Sequence, residues 1–127
     1  MVLLQPTSPF RTAKHIKEAM NLYSKEVDMV VSVCKSDANP YYNLFEENKS
    51  DYLQQSKQAA CTRRQDCPAI YILNGAVYVI NVQSLLKKPL HQFKKVKKYE
   101  MDKISSTDLD TMTDWHWAEF LIEKKLI

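Results

Sequence analysis

A single glycine, Gly75, stands among the 127 residues, where an average usage of ~7% gives roughly nine. Glycine lets backbone N–H groups approach a ligand with no Cβ in the way. Loops that cradle phosphate with several glycines, the dinucleotide fingerprint and the Walker loop alike, are therefore excluded. Nucleotide chemistry in these residues has to use another device. The rest of the composition is ordinary, with 45% hydrophobic and 26% charged residues, which is the balance of a globular chain rather than a disordered one. The length suits one domain with a packed core.

Net charge is +3, from 18 Lys+Arg against 15 Asp+Glu, too small to imply a polyanionic partner. Lys87, Lys88, Lys94, Lys95, Lys97 and Lys98 crowd one stretch, as a nucleic-acid footprint would. Val96, Tyr99 and Met101 are interleaved there like a strand, however, and lysines on a sheet edge block aggregation, so the expectation is a solvated edge and no nucleic-acid partner. No run reaches the ~18 to 20 apolar residues of a membrane span, and no leader pattern opens the chain. A cytoplasmic protein with no membrane partner is expected. Cys34, Cys61 and Cys67 form an odd set without short paired spacing, so reduced, partly buried thiols are expected rather than a disulfide framework or a zinc site. Nothing local joins a cysteine to His15, His91 or His116 as a nucleophile pair.

Val2-Leu3-Leu4 reads as a short buried strand that ends in the turn Gln5-Pro6-Thr7-Ser8-Pro9. After Thr12, Ile16, Ala19, Met20 and Tyr23 fall at helical spacing. Met29–Cys34 is β-branched and too short for a core helix, so a buried strand follows. Strand, helix and strand predict a βαβ unit whose strands run parallel and are joined by a right-handed crossover. From Lys35 to Cys67 the chain alternates polar and aromatic residues without a period, as an arm or subunit contact would. Ile70–Ile72 and Val77–Ile80 flank Asn74-Gly75, which marks either a tight hairpin or a close approach of backbone to a ligand. Val82–Lys87 reads as a short helix and Lys97–Met101 as a strand. Thr111 and Asp114 form a capping box for a last helix whose Trp115, Ala118, Leu121 and Ile122 share a face.

Asp108-Leu109-Asp110 places two carboxylates on one side of an extended backbone, with the leucine on the other. Such a pair suits Mg²⁺, which takes one or two carboxylates plus water and phosphate oxygens; a solvated turn before a capped helix is the plainer alternative. Arg63-Arg64-Gln65-Asp66 offers guanidinium forks that match carboxylate or phosphate, or a surface ion pair. Gln5 ends the first strand, where ligands of α/β sheets bind, and a satisfied turn amide fits equally.

In order along the chain, Leu3-Leu4-Gln5-Pro6-Thr7-Ser8-Pro9-Phe10-Arg11, Asn39-Pro40-Tyr41-Tyr42-Asn43-Leu44-Phe45, Thr62-Arg63-Arg64-Gln65-Asp66, Asn74-Gly75-Ala76-Val77-Tyr78-Val79 and Asp108-Leu109-Asp110-Thr111 closely resemble the second half of acylneuraminate cytidylyltransferases, which make CMP-activated nine-carbon sugar acids. The resemblance implies an α/β, partial Rossmann-like nucleotidyltransferase fold with a mostly parallel sheet, flanking helices and residues 35–68 as a dimerisation arm. It also implies a homodimer, a divalent cation such as Mg²⁺ on Asp108 and Asp110, and CTP and a sugar acid as substrates of the intact enzyme. By the same resemblance Gln5, Asn74 and Tyr78 line the sugar site, and Arg64 pairs with the sugar carboxylate or a nearby phosphate. Ile72 and Tyr42 stand where some members carry basic residues.

Family members also carry a basic loop of the form Pro-Ala-Arg-x-Gly-Ser-Lys for the CTP phosphates. No such loop, nor the segment that reads cytosine, is found in this sequence. The expectation is a chain that holds the sugar and metal side of the site and is inactive alone, because phosphoryl-type transfer rests on positioning and electrostatics. The alternative is a non-catalytic dimerisation or interaction module derived from that family, which uses an exposed sheet edge.

Overall fold

The computed structural model describes residues 1–127. Two compact units emerge: Met1–Cys34 with Leu73–Ile127, and Lys35–Ile72. In chain order the elements are β1 (Val2–Leu3), α1 (Ala13–Asn21), β2 (Met29–Lys35), β3 (Phe45–Glu47), β4 (Leu53–Gln55), β5 (Tyr71–Ile80), α2 (Val82–Lys87), β6 (Val96–Glu100) and α3 (Met112–Glu123), with short 3-10 turns at Arg64–Asp66 and Leu90–Gln92.

The larger unit is an α/β layer built on a four-stranded sheet in the order β1-β5-β2-β6. β2 and β6 run parallel, with Met29 opposite Val96 and Val33 opposite Glu100. β1 and β5 run antiparallel, with Val2 opposite Val79 and Leu3 opposite Tyr78. The sheet is thus mixed, not mostly parallel, and β5 lies between β1 and β2. Burial explains the order. A central strand is covered on both faces and needs apolar residues throughout; Ala76, Val77, Val79 and Ile80 meet that need, whereas Val2 and Leu3 are half-exposed. No hairpin forms at Asn74-Gly75, since β5 runs straight through it. Gly75 takes a positive φ of 70°, and a Cβ built there would lie 1.9 Å from Gln5 Oε1. The glycine therefore marks a close approach, and the approaching group is the Gln5 side chain.

The core gathers Ala19, Val27, Val30, Ala76, Val77, Val79 and Met101, with Ile16, Tyr23 and Tyr99 packed on it. Helix α1 presents Ile16 and Ala19 inward, and Tyr23, just beyond its end, packs on the same core, while Met20 stays half-exposed. Thr12 N donates to His15 Nδ1 at 3.2 Å and so closes the first turn. Burial and the Glu18 carboxylate, which accepts from its hydroxyl, push the Tyr99 phenol up to about 12. In α3 only Ala118 and Leu121 are buried; Trp115 and Ile122, expected on the same face, remain exposed, and Trp117 stacks on Phe120 with ring centroids 5.5 Å apart. Strand β6 lies at the sheet edge with Lys97 and Lys98 exposed, in agreement with the edge reading. Beside it, the Asp28 carboxylate accepts bonds from Ser84 Oγ at 2.6 Å and from Lys88 Nζ, Lys94 N and Lys95 N at 3.1 Å. Those bonds, the Ser84 hydroxyl foremost, hold its pKa far below the usual carboxylate range. No helix is long and apolar enough to cross a membrane.

The smaller unit is built from turns. Asn39, buried, accepts the Tyr41 N–H on Oδ1 at 2.9 Å, donates from Nδ2 to Pro68 O at 3.0 Å, and receives three backbone N–H groups on its carbonyl. β3 and β4 form an antiparallel hairpin, whose turn is closed by Asn48 Oδ1 accepting from Ser50 N and Tyr52 N. Cys61 and Cys67 are joined by a disulfide, with Cα atoms 5.3 Å apart, which overturns the expectation of reduced thiols. The 3-10 turn at Arg64–Asp66 folds the segment back so that its ends reach disulfide distance. Cys34 alone is free.

Candidate functional site

In the larger unit the segment Gln5–Pro9 leaves β1 and is fixed by Arg11. Its Nη1 donates to Gln5 O and Ala76 O, both at 2.9 Å, and so staples the turn to β5 beside Gly75. Gln5 itself is exposed. Asn74 sits at the centre of a buried network. Its Oδ1 accepts from Ser32 Oγ at 2.6 Å and Ala76 N at 3.2 Å, and its Nδ2 donates to Ser106 Oγ at 2.8 Å and faces Met101 Sδ at 3.5 Å. Ser32 Oγ in turn accepts from Val77 N at 2.7 Å. The Asn74 amide is fully engaged within the chain and acts as a strut that shapes the backbone around Gly75. Tyr78, half-buried, follows on the same strand.

The turn after β6 carries the other end of that strut. Ser106 Oγ donates to Asp102 O at 2.6 Å, and the Asp102 carboxylate accepts from Ser105 N at 2.9 Å, a bond that holds its pKa below the usual range. Beyond it, Leu109 N donates to Thr7 O at 2.9 Å, so the Asp108–Asp110 segment is tied to the turn that bears Gln5. Asp114 Oδ2 then accepts from Asp110 N at 3.2 Å and from Thr111 N and Oγ1 at 2.7 Å, and the Thr111 hydroxyl, ahead of the backbone bonds, lowers its pKa.

Two buried side-chain oxygens, Asp108 Oδ1 and Ser8 Oγ, have no hydrogen-bond partner. Buried polar atoms are nearly always paired, because an unsatisfied one costs about 1–3 kcal/mol. An orphaned carboxylate oxygen, two residues along the chain from the exposed Asp110, fits a hard cation that keeps water and substrate oxygens in its remaining positions. No group of three or more acidic, histidine or cysteine side chains forms a protein-only cage.

Arg64 belongs to the smaller unit. It lines a cavity of about 420 Å³ together with Lys35, Asp37, Asn39, Gln65 and Cys67, and it forms an ion pair with Asp37. Two cations and an exposed acid thus share walls that are partly polar and partly apolar, with Pro68, Ala69 and Ile70 on the apolar side, and a guanidinium fork in such a place can pair with a carboxylate or phosphate. Sequence reasoning passed over Asp37, Ser32 and Ser106. No local pattern signals them, because each acts through a residue 27 to 42 positions away. Arg11 stood within the quoted Gln5–Arg11 segment but without a role.

No protein-family model matches the chain. Among curated proteins it is similar to the N-acylneuraminate cytidylyltransferase of Streptococcus agalactiae serotype III (strain NEM316), with 36% identity over 115 residues, 90% of this chain and 28% of that protein. The enzyme of the same name from Escherichia coli O18:K1:H7 (strain RS218 / NMEC) is 33% identical over 133 residues, 97% of this chain and 30% of that protein. The CMP-N,N'-diacetyllegionaminic acid synthase of Legionella pneumophila is 28% identical over 128 residues, 97% of this chain and 53% of that protein. The chain thus spans from 28% to 53% of the length of these relatives. Nine-tenths or more of the chain thus aligns with part of the length of these acylneuraminate cytidylyltransferases and of the related CMP-legionaminic acid synthase.

Proposed function

We propose that these residues form the sugar-acid and cation side of a nucleotidyltransferase that moves CMP from CTP to a sialic-acid-like nine-carbon acid and releases pyrophosphate. The observation that carries this reading is the orphaned Asp108 Oδ1, held by the Leu109–Thr7 bond next to the Gln5 turn. In the reaction the anomeric hydroxyl of the sugar acid attacks the α-phosphate of CTP. Gln5 orients the sugar, kept in place by the Arg11 staple and by the space that Gly75 leaves. Tyr78 contributes a wall, and Asn74 serves indirectly by shaping the strand. In the smaller unit, Arg64 exchanges Asp37 for a carboxylate or phosphate of a bound acid, since an exposed ion pair is weak and easily displaced. Asp108 and Asp110 would hold a divalent cation such as Mg²⁺, which when bound offsets charge on phosphate oxygens.

The triphosphate needs a dense set of donors, and the single glycine at Gly75 leaves no loop to supply them. The 127 residues alone are therefore inactive while keeping affinity for the acid. Two measurements test this. Pyrophosphate release from CTP and N-acetylneuraminate should stay at the buffer rate, and robust turnover by the chain alone would overturn the inactivity. Saturation-transfer NMR should show N-acetylneuraminate bound, with the signal lost in Arg64→Ala; an unchanged signal sinks the assignment of Arg64.

A second reading is favoured by one observation. Leu44, Phe45, Tyr52 and Leu53 are exposed on or next to β3 and β4, Tyr52 and Leu53 by 70% and 72%, which is a patch suited to a second copy. On this reading the hairpin is a homodimerisation arm, whether or not the chain supports catalysis. Sedimentation should give a dimer that Leu53→Asp dissociates, and a monodisperse monomer at high micromolar concentration would remove it.

A further inference from the structure

We infer that the Cys61–Cys67 disulfide is a reversible clamp that positions the loop bearing Arg64. What the clamp serves rests on the sugar-acid reading; the clamp itself does not. The loop between the two sulfurs holds Thr62, Arg63, Arg64, Gln65 and Asp66, all exposed. Inside it, Asp66 N donates to Arg63 O at 3.0 Å and Cys67 N to Arg64 O at 3.3 Å. Such local bonds define a turn but do not anchor it to anything else. The neighbouring anchors lie outside the bridge, at Lys57 N to Pro40 O, 2.9 Å, and Asn39 Nδ2 to Pro68 O, 3.0 Å. Arg64 reaches Asp37 from its side, but that pair is solvent-exposed, and exposed pairs order a backbone poorly. Closing the ring at Cys61 and Cys67 removes most of the freedom that the loop would otherwise lose on binding. Preorganised groups bind more tightly for that reason.

Both cysteines are only half-buried, so the bridge is open to thiol exchange. The balanced step uses a low-molecular-weight disulfide of the glutathione class as oxidant. The thiolate of one cysteine attacks it, forms a mixed disulfide and releases one small thiol. The second cysteine's thiolate then displaces the other small thiol and completes the Cys61–Cys67 bond. One small disulfide thus becomes two thiols, and the two cysteine protons leave to solvent or to the departing thiolates. A dithiol reverses the sequence.

The 127-residue chain is prepared with excess glutathione disulfide and, separately, with excess dithiothreitol, and the linkage in each is fixed by peptide mapping. Hydrogen exchange should then be faster by about tenfold or more in peptides covering residues 58–68 of the reduced chain, with residues 74–80 unchanged. The double variant Cys61→Ser/Cys67→Ser should match the reduced chain under both conditions. N-acetylneuraminate should bind the oxidised chain at least about threefold more tightly than the reduced one. Equal exchange in the two forms overturns the clamp, as does a map that joins Cys34 to either partner; equal, measurable affinity in chains whose exchange differs keeps the clamp and overturns its role in sugar-acid binding. Absence of sugar-acid binding in both forms, with exchange still following the bridge, supports the clamp and overturns the sugar-acid reading instead.

Discussion

Every buried apolar side chain lies in the unit that joins Met1–Cys34 to Leu73–Ile127, whereas the Lys35–Ile72 unit buries Asn39 and no hydrophobic residue at all. The first is held by apolar burial around Val30, Val77 and Leu121. The second is held by asparagine-centred turns and one disulfide. The difference follows from size, since pieces below roughly 40 residues cannot enclose a core and depend on cross-links or on a partner. It also follows from pattern: Met29–Val33 supplies a continuous buried run and Asn74–Ile80 one broken only by the half-buried Tyr78, while Tyr41–Gln55 puts most of its large side chains outward. An apolar-cored unit and a polar one thus differ in what holds them together, and most of the candidate site residues lie in the first.

The sharpest way to break this contrast is to truncate one leucine in each region. Leu121 is fully buried, so Leu121→Ala should lower the unfolding free energy of the larger unit by about 3 kcal/mol, seen as an earlier urea midpoint with an unchanged slope. Leu53 is exposed, and Leu53→Ala, measured at a concentration low enough to exclude self-association, should change stability by less than about 0.5 kcal/mol. Comparable losses at both positions would mean that the smaller unit has a core of its own.

Next in size is the acid limb. Asp28 has its folded pKa depressed far below its ordinary 3.8. Between those two values the unfolded chain binds the extra proton, so the stabilisation is complete above about pH 4 and is lost as pH falls through the folded value. Urea midpoints should therefore drop steeply between about pH 4 and 2. Asp28→Asn should start lower at neutral pH and lose most of that slope. Retention of the full slope in the variant would place the acid sensitivity elsewhere.

Gly75 tests where scaffold and site meet. Gly75→Ala meets a positive φ, which costs an L-residue about 1–2 kcal/mol, and the new Cβ displaces the Gln5 side chain. The variant should be destabilised by that amount and should bind N-acetylneuraminate more weakly, by calorimetry. A loss of stability without loss of binding would detach Gln5 from the sugar site.

How much of this was legible in the sequence divides along the same line. Helices α1, α2 and α3 and strands β2 and β6 could be read within a residue or two, because their signals are local: a period, a cap or a β-branched run. The position of β1 could not, since sheet order is decided by which strand can be covered on both faces, and that compares Val2–Leu3 with a strand some 70 residues later. Gly75 was legible as a special position, yet its partner Gln5 was not, because two meanings of Asn-Gly share one local pattern. The disulfide was missed for a related reason. A separation of six residues is no signature, and only the 3-10 turn between the cysteines brings them together. Among the candidate site residues, the carboxylate pair and Arg64 stand out in the sequence by residue type alone, whereas the Ser32–Asn74–Ser106 strut exists only once the chain has folded.

The smallest effect concerns the joint between the Asp108–Asp110 segment and α3. Thr111 caps the helix, its hydroxyl accepting from Asp114 N at 3.3 Å, while the Asp114 carboxylate reaches back to Thr111 and Asp110. Loss of a threonine cap costs about 1 kcal/mol, so Thr111→Ala should shift the urea midpoint modestly. It should also raise the Asp114 pKa toward the ordinary carboxylate value, because the Thr111 hydroxyl is the foremost cause of its depression. A carboxylate NMR titration reads this directly. Since Asp110 N shares the same Oδ2 acceptor, a loosened cap frees the Asp110 backbone and should weaken any Mn²⁺ bound there as a paramagnetic probe, seen as a reduced broadening of nearby resonances. Thr111→Ser, which keeps the hydroxyl, should restore both the pKa and the broadening. If the alanine variant keeps its Mn²⁺ broadening while Asp114 titrates normally, the cap stabilises the helix without positioning the carboxylate pair, and the Thr7–Leu109 tie is left as the bond that holds the segment.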